Sequence, residues 1–190
     1  MATPAEVQFA LQMVKEAVSS GHPFPGYAAA EACLESWDFN SPTGCSGLAA
    51  RDKDVFGLKE PNWWTGQVDK IQTREVIDGA SEMVMATWPV FTTYADCFAA
   101  RLKVLQGLPS YYGEALEAKS GEEFVRLVSA SWLSGDALPL SAAHPCFTFP
   151  GPDGPVMWQF NAGRWSTAPN RASQVLAVYN AHPEIFVVPI

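Results

Sequence analysis

Apolar residues recur at helical spacing through most of the chain and give way to β-type composition in two places. From Pro4 to Ser19, Phe9, Leu11, Met13, Val14 and Val18 form an apolar stripe that Ser20-Gly21-His22-Pro23 stops, which predicts a first helix. Pro25-Gly26 opens a second, running to Asn40, in which Ala and Leu dominate and no β-branched residue intervenes. Ser41 to Gly47 is rich in turn residues, and Lys53 to Lys59 is an apolar centre between charges. Gln67 to Phe91 turns to Val, Ile and Thr. With a turn at Asp78-Gly79 it predicts an antiparallel hairpin of Val68 to Ile77 and Glu82 to Phe91. Helical spacing returns from Thr92 to Gln106, with Tyr94, Phe98, Leu102 and Leu105 on one face, a Thr92 or Thr93 cap and a stop at Gly107. Two further helices are predicted over Tyr111 to Ala118 and Ser120 to Trp132, the second opened by the capping box Ser120-Gly-Glu-Glu123. Leu133 to Gly163 is interrupted by five prolines and reads as an inserted hairpin, Cys146 to Phe149 and Val156 to Phe160 about a turn at Pro152-Asp153-Gly154. A last helix is predicted over Pro169 to Ala181, with Thr167 as its candidate cap and Ala172, Val175, Leu176 and Tyr179 inward.

Helices around a small hairpin make an α+β chain with its strands segregated from its helices. With 190 residues and 48% hydrophobic content, one domain over 1–190 is the default, with a β lobe at about 67–91 and the insertion at about 133–163. A net charge of −8 disfavours nucleic acid as a partner. No apolar run is long enough to span a bilayer, so no membrane insertion is expected. The N-terminus shows no basic segment followed by an apolar core, hence no visible signal peptide. Cys33, Cys45, Cys97 and Cys146 are widely spaced, and His22, His144 and His182 lie far apart. No metal site is expected, while a Cys33–Cys45 disulfide and buried free thiols both remain open. The sequence leaves the oligomeric state undetermined.

Glu35 is the odd member of the second helix. It stands among Ala32, Cys33, Leu34, Trp37 and Phe39. Desolvation disfavours the charged form and raises a carboxyl pKa. A carboxylic acid protonated near neutral pH is what a glycosidase needs to protonate a leaving oxygen. From the helix alone, a solvent-facing Glu on an ordinary amphipathic helix is the commoner case.

Several segments, in this order, resemble one family. Ala32-Cys33-Leu34-Glu35-Ser36 resembles the Ala-x-Leu-Glu-Ser helix of the bacterial glucosaminidase family (glycoside hydrolase family 73), which includes flagellar peptidoglycan hydrolases and autolysins. Asp54-Val-Phe-Gly-Leu-Lys59 is similar to its Asn-Leu-Phe-Gly-Ile-Lys motif, and Thr73-Arg74-Glu75 to its Thr-x-Glu strand. Phe91-Thr-Thr-Tyr94 through Phe98 resembles a shifted Tyr-x-Ser-x-x-x-Ser-Phe segment, and Arg164-Trp165-Ser-Thr167-Ala168-Pro-Asn170 its Gly-Tyr-Ala-Thr-Asp-Pro-Asn motif. Together these cover most of Tyr27 to Asn180.

The resemblance implies a mostly helical, lysozyme-like α+β domain with a small antiparallel β lobe; the hairpin insertion read from Leu133 to Gly163 in its C-terminal half has no counterpart in the family motifs. It implies hydrolysis, without cofactor, of the β-1,4 bond after N-acetylglucosamine in peptidoglycan glycan strands. The place of action would be the cell wall or periplasm, reached as a phage-type lysin or as a secreted enzyme whose leader has been trimmed. Carried over by residue, Glu35 is the general acid. Glu75 is the second carboxylate, which positions a water or stabilises an oxocarbenium-like transition state; an exposed Glu on a charged strand edge is its alternative. Phe56, Lys59, Trp64, Tyr94, Trp165 and Thr167 are the expected substrate-binding residues, with core packing the alternative for Phe56 and lobe packing for Trp64. Trp165 and Ala168 depart from the family's Tyr and Asp. A muramidase or lytic transglycosylase on the same fold, or an inactive wall-binding module, is the alternative reading.

Overall fold

The computed structural model describes residues 3–38, 40–77, 80–129, 131–133, 146–151, 154–159 and 170–187. Helix α1 spans Pro4–Ser19 and is closed at its start by a reciprocal capping box. Glu6 N–H donates to Thr3 Oγ1 (3.3 Å) and Thr3 N–H to Glu6 Oε2 (2.7 Å). Its buried face is Glu6, Phe9, Ala10, Met13 and Ala17, at the spacing of a single helical stripe. Leu11 and Val18, expected on that stripe, stand exposed on the other side.

Helix α2 (Pro25–Ser36) is the centre of the helical body: Gly26, Ala28 to Cys33 and Ser36 are all buried. It is packed by α1, by α7 (Arg171–Ala181), by the single turn α8 (Pro183–Phe186) and by α6 (Gly121–Val128). Small side chains let these neighbours come close. A Cβ added at Gly26 would lie 1.9 Å from the carbonyl oxygen of Phe186. The helix stops at Ser36, short of the predicted Asn40. Trp37 turns extended and bridges to Cys45, and Ser46 N–H donates to the Ser36 carbonyl at 2.7 Å, so the chain folds straight back beside the helix end.

The return segment contains α3 (Gly47–Asp52), capped by Ser46, which was hidden among turn residues in the sequence. The β lobe follows as β1 (Val68–Ile77) and β2 (Ala80–Pro89), antiparallel in the register Val68↔Pro89 through Ile77↔Ala80; the predicted turn residues Asp78 and Gly79 lie outside the described residues. Helix α4 (Tyr94–Gln106) carries a second capping box, Thr93 with Asp96, and leads to α5 (Pro109–Leu116) and α6. At α6 only half of the expected box forms. Ser120 Oγ accepts from Glu123 N–H, while the Glu123 carboxylate takes the N–H of Lys119.

Trp132 does not extend α6. It lies in β3 (Ser131–Leu133), which pairs with β5 (Gly154–Gln159), itself paired with β4 (Cys146–Gly151), in the order β3-β5-β4. The partner strand that overrides helical propensity at Trp132 is far along the chain, so no local pattern announces it. Helix α7 begins at Arg171, two residues later than predicted, with Asn170 at its N-cap and no side-chain cap bond; Thr167 lies outside the described residues. The core gathers Met13, Phe98, Leu105, Phe124, Val175 and Phe186 around α2. Cys33, Cys45 and Cys97 are buried free thiols. Among the described residues, no helix is long and apolar enough to cross a membrane.

Candidate active site

Helices α2 and α7 run antiparallel, and each end of the pair is joined by side chains. At one end Tyr27 and Tyr179 stack with ring centroids 3.9 Å apart. At the other, Glu35 in the last turn of α2 meets Arg171 in the first turn of α7, with Arg171 Nη2 against Glu35 Oε1. One turn back on α2 is Glu31, on the same face. It is buried, with Arg171 Nη2 3.9 Å from its Oε1 and Arg101 Nη2 from α4 paired to its Oε2. Arg101 is fully buried. Its guanidinium lies over the ring of Phe56 (5.0 Å to the centroid) and over that of Phe124 (5.5 Å). His22 completes the group, its Nε2 3.4 Å from Arg101 Nη1 and its Nδ1 accepting from Phe24 N–H. Burial and the Arg101 charge push the His22 pKa down to about 3, which keeps the imidazole neutral.

Glu35 is the accessible member of this group, with 40% of its side chain exposed. Burial raises its carboxyl above the ordinary value and Glu31 adds to the rise, while Arg171 pulls the other way by charge and hydrogen bonding. The site thus presents an open carboxyl, shifted toward its protonated form, at the end of a rigid helix.

The helix end is pinned to the segment 53–59. Ser36 Oγ donates to the Val55 carbonyl at 2.8 Å in a buried contact. Asp54 organises that segment: its Oδ1 accepts from the N–H groups of Phe56 (3.2 Å) and Leu58 (3.1 Å) and faces Cys97 Sγ at 3.7 Å. Desolvation pushes the Asp54 pKa up to about 6, against the pull of these hydrogen bonds. Gly57 adopts φ +62°, the left-handed turn for which glycine is suited.

The remaining sequence-predicted residues disperse around this centre. Phe56 is a core aromatic, edge-on to Phe98 at 5.1 Å and 8% exposed. Lys59 is exposed beside β2, where Glu60 N–H donates to the Thr87 carbonyl. Trp64 packs on Phe91, donates from Nε1 to the Gln67 carbonyl at 3.0 Å, and lines a cavity of about 730 Å³ with Trp63, Asp96 and Lys103. Tyr94 is buried edge-on to Phe9 with Lys53 over its ring, facing α1. Glu75 occupies a β1 position paired with Glu82 near the far end of the hairpin. Trp165 and Thr167 lie outside the described residues.

No family model matches this chain, and no curated protein matches it. Solved structures do. The catalytic domain of the autolysin Auto from Listeria monocytogenes is 18% identical, with 96% of this chain and 87% of that chain covered and a TM-score of 0.65. A peptidoglycan hydrolase mutant from Sphingomonas sp. A1 is 16% identical over 92% of each chain, at 0.58. A C-terminally truncated glycoside hydrolase domain of FlgJ from Salmonella typhimurium is 18% identical, with 94% and 98% covered, at 0.56. The chain has the fold of these hydrolase domains. What the likeness carries is architecture: a helical body with a small antiparallel hairpin, as the motif order implied.

Within this hydrolase fold, sequence reasoning missed Glu31, Arg101 and Arg171. A signal existed for two of them. Glu31 is four residues before Glu35 and therefore on its face. Arg101 follows Tyr94 and Phe98 and precedes Leu105 at core spacing, so the inward stripe of α4 is Tyr94, Phe98, Arg101 and Leu105, with Leu102 only half-buried. An Arg on a core stripe announces a buried partner. Arg171 carried no such signal.

Proposed function

We propose that this chain is a peptidoglycan hydrolase, an endo-β-N-acetylglucosaminidase that cleaves the β-1,4 bond after N-acetylglucosamine, with Glu35 as general acid. The observation that carries the reading is the setting of Glu35: an accessible carboxyl with a raised pKa on the most buried helix of a fold shared with hydrolase domains. In this reading Glu35 passes its proton to the glycosidic oxygen as the bond to the anomeric carbon breaks. Glu75 on β1 is the second carboxylate, which orients the attacking water or balances the positive charge at the sugar ring. Trp64 offers an aromatic face to a sugar. The whole of 1–190 acts as one domain at the cell wall or in the periplasm.

The test is digestion of purified peptidoglycan by wild type and Glu35→Gln, with fragments reduced by borohydride and weighed by mass spectrometry. Wild type is expected to release reducing-end N-acetylglucosamine, and E35Q to lose at least about 100-fold of the rate. Reducing-end or anhydro-muramic products would overturn the bond assignment. Full activity in E35Q would remove Glu35 from the mechanism.

A further inference from the structure

Arg171 is placed between two carboxylates on one face of α2. Its Nη2 is against Glu35 Oε1 and 3.9 Å from Glu31 Oε1. It is itself buried, 6% exposed, while Glu35 opens to solvent. Glu31 does not need Arg171 for its own neutralisation, because the fully buried Arg101 already pairs with its other oxygen. A guanidinium so placed has one accessible partner, and that partner is the candidate acid. We propose that Arg171 is the positioning residue for Glu35, an ionic stop at the start of α7 that receives the carboxylate once its proton has gone to the leaving oxygen.

The inference rests on Glu35 as the acid. The proton leaves a Glu35 oxygen for the glycosidic oxygen, which keeps the electron pair of the broken bond and leaves as a hydroxyl; the attacking water's oxygen bonds the anomeric carbon and gives up a proton, and Arg171 neutralises the new Glu35 carboxylate. An adjacent fixed cation makes the neutral acid a stronger acid and its conjugate base a better-held one. The opposing influence is Glu31, one turn away on α2. The other charged groups nearby act at one remove. Arg101 of α4 acts through Glu31, and His22, ahead of α2, touches Arg101 and is neutral. From α1, Glu6 Oε2 accepts the Thr3 N–H of the cap, and the Glu6 carbonyl accepts from Trp37 Nε1 at 3.3 Å. After α7, His182 faces Trp37 and pairs with Glu184 of α8. On the α6 side, Glu122 pairs with Arg126.

The sign follows from the role. A general acid works while protonated, so activity falls as pH rises through its ionisation. Removing the Arg171 charge makes Glu35 hold its proton to higher pH and leaves its conjugate base unsupported. Arg171→Leu is therefore expected to move the alkaline limb of the kcat/KM profile on peptidoglycan upward and to lower the plateau rate. Arg171→Lys, which keeps the charge, is expected to leave the limb in place. Arg171→Gln is the second neutral variant and moves the limb as the leucine does if that one is unfolded. A titration of the Glu35 side-chain carboxyl by carbon NMR, assigned by its absence in E35Q, reads the same displacement without turnover. If the limb and the titration of both neutral variants coincide with wild type while only Tm falls, Arg171 is structural and the proposal is overturned. If E35Q itself cleaves at the wild-type rate, the acid assignment fails first and takes this inference with it.

Discussion

In the helical body, Arg101, Glu31 and Arg171 keep only 0, 3 and 8% of their side-chain surface, and each is held by a partner from another helix. On the β lobe, Met83 and Met85 stand 51 and 65% exposed on one face of a hairpin whose order comes from the β1–β2 ladder. The two regions thus spend their chemistry oppositely. The body hides paired charge at a helix end, while the lobe displays apolar side chains on the exposed face of its hairpin. The body's stability should therefore depend on keeping these buried charges paired inside its apolar core, while single changes on the exposed face of the lobe should matter little.

The sharpest way to break this contrast is Arg101→Leu. It removes the cation paired with the buried Glu31, and removal of one partner of a buried pair costs about 3–5 kcal/mol. Urea unfolding is expected to show a loss of that size; a loss below about 1 kcal/mol would mean that the buried pair is dispensable. Next in size is Asp54→Asn. A carboxyl whose pKa rises from 3.8 unfolded to about 6 folded keeps a proton in the folded state that the unfolded chain releases. Its charge therefore costs stability increasingly as pH climbs through that interval, and in full above it. Asn lacks the charge and keeps an oxygen for the Phe56 and Leu58 N–H groups, so D54N is expected to gain about 3 kcal/mol above about pH 7 and nothing below about pH 4. Thermal melts across that range check it, and equal effects at both ends would refute the assignment. The smallest effect belongs to the lobe: Met85→Thr is expected to change unfolding stability by less than about 0.5 kcal/mol.

The same contrast explains what could be read ahead of the structure. Signals carried by neighbours in sequence came through. The apolar stripe and stop of the first helix, the Thr93 cap of α4 and the Val, Ile and Thr runs of the hairpin marked elements whose observed bounds fall within a few residues of the predicted ones. Glu35 drew attention because apolar neighbours surround it in sequence and because its segment matches a family motif, not because its helix alone marked it. Helix α3 was not legible, since six residues beginning at Gly47 give one turn and a half of periodicity inside a turn-rich stretch. Trp132 was misassigned because its strand partner, Trp158, lies beyond the turn of another hairpin. Arg171 was invisible for the same reason on a larger scale. An ion pair between the end of one helix and the start of another near the opposite end of the chain leaves no periodic trace, and its sequence context had marked only a helix start.

The closure of α2 by α7 and α8 also fixes an order of events in the life of the molecule. During synthesis the segment bearing Glu35 leaves the ribosome early, whereas Arg171, Tyr179 and Phe186, which cover it, come near the end of the chain. Until then the alanine face of α2 is uncovered on that side and Glu35 lacks its Arg171 counter-charge. Chains cut short before Arg171 would carry the Glu35 segment and the hairpin and still lack the pairing of α2 with α7, so the Glu31–Glu35–Arg171 cluster forms only once α7 is made.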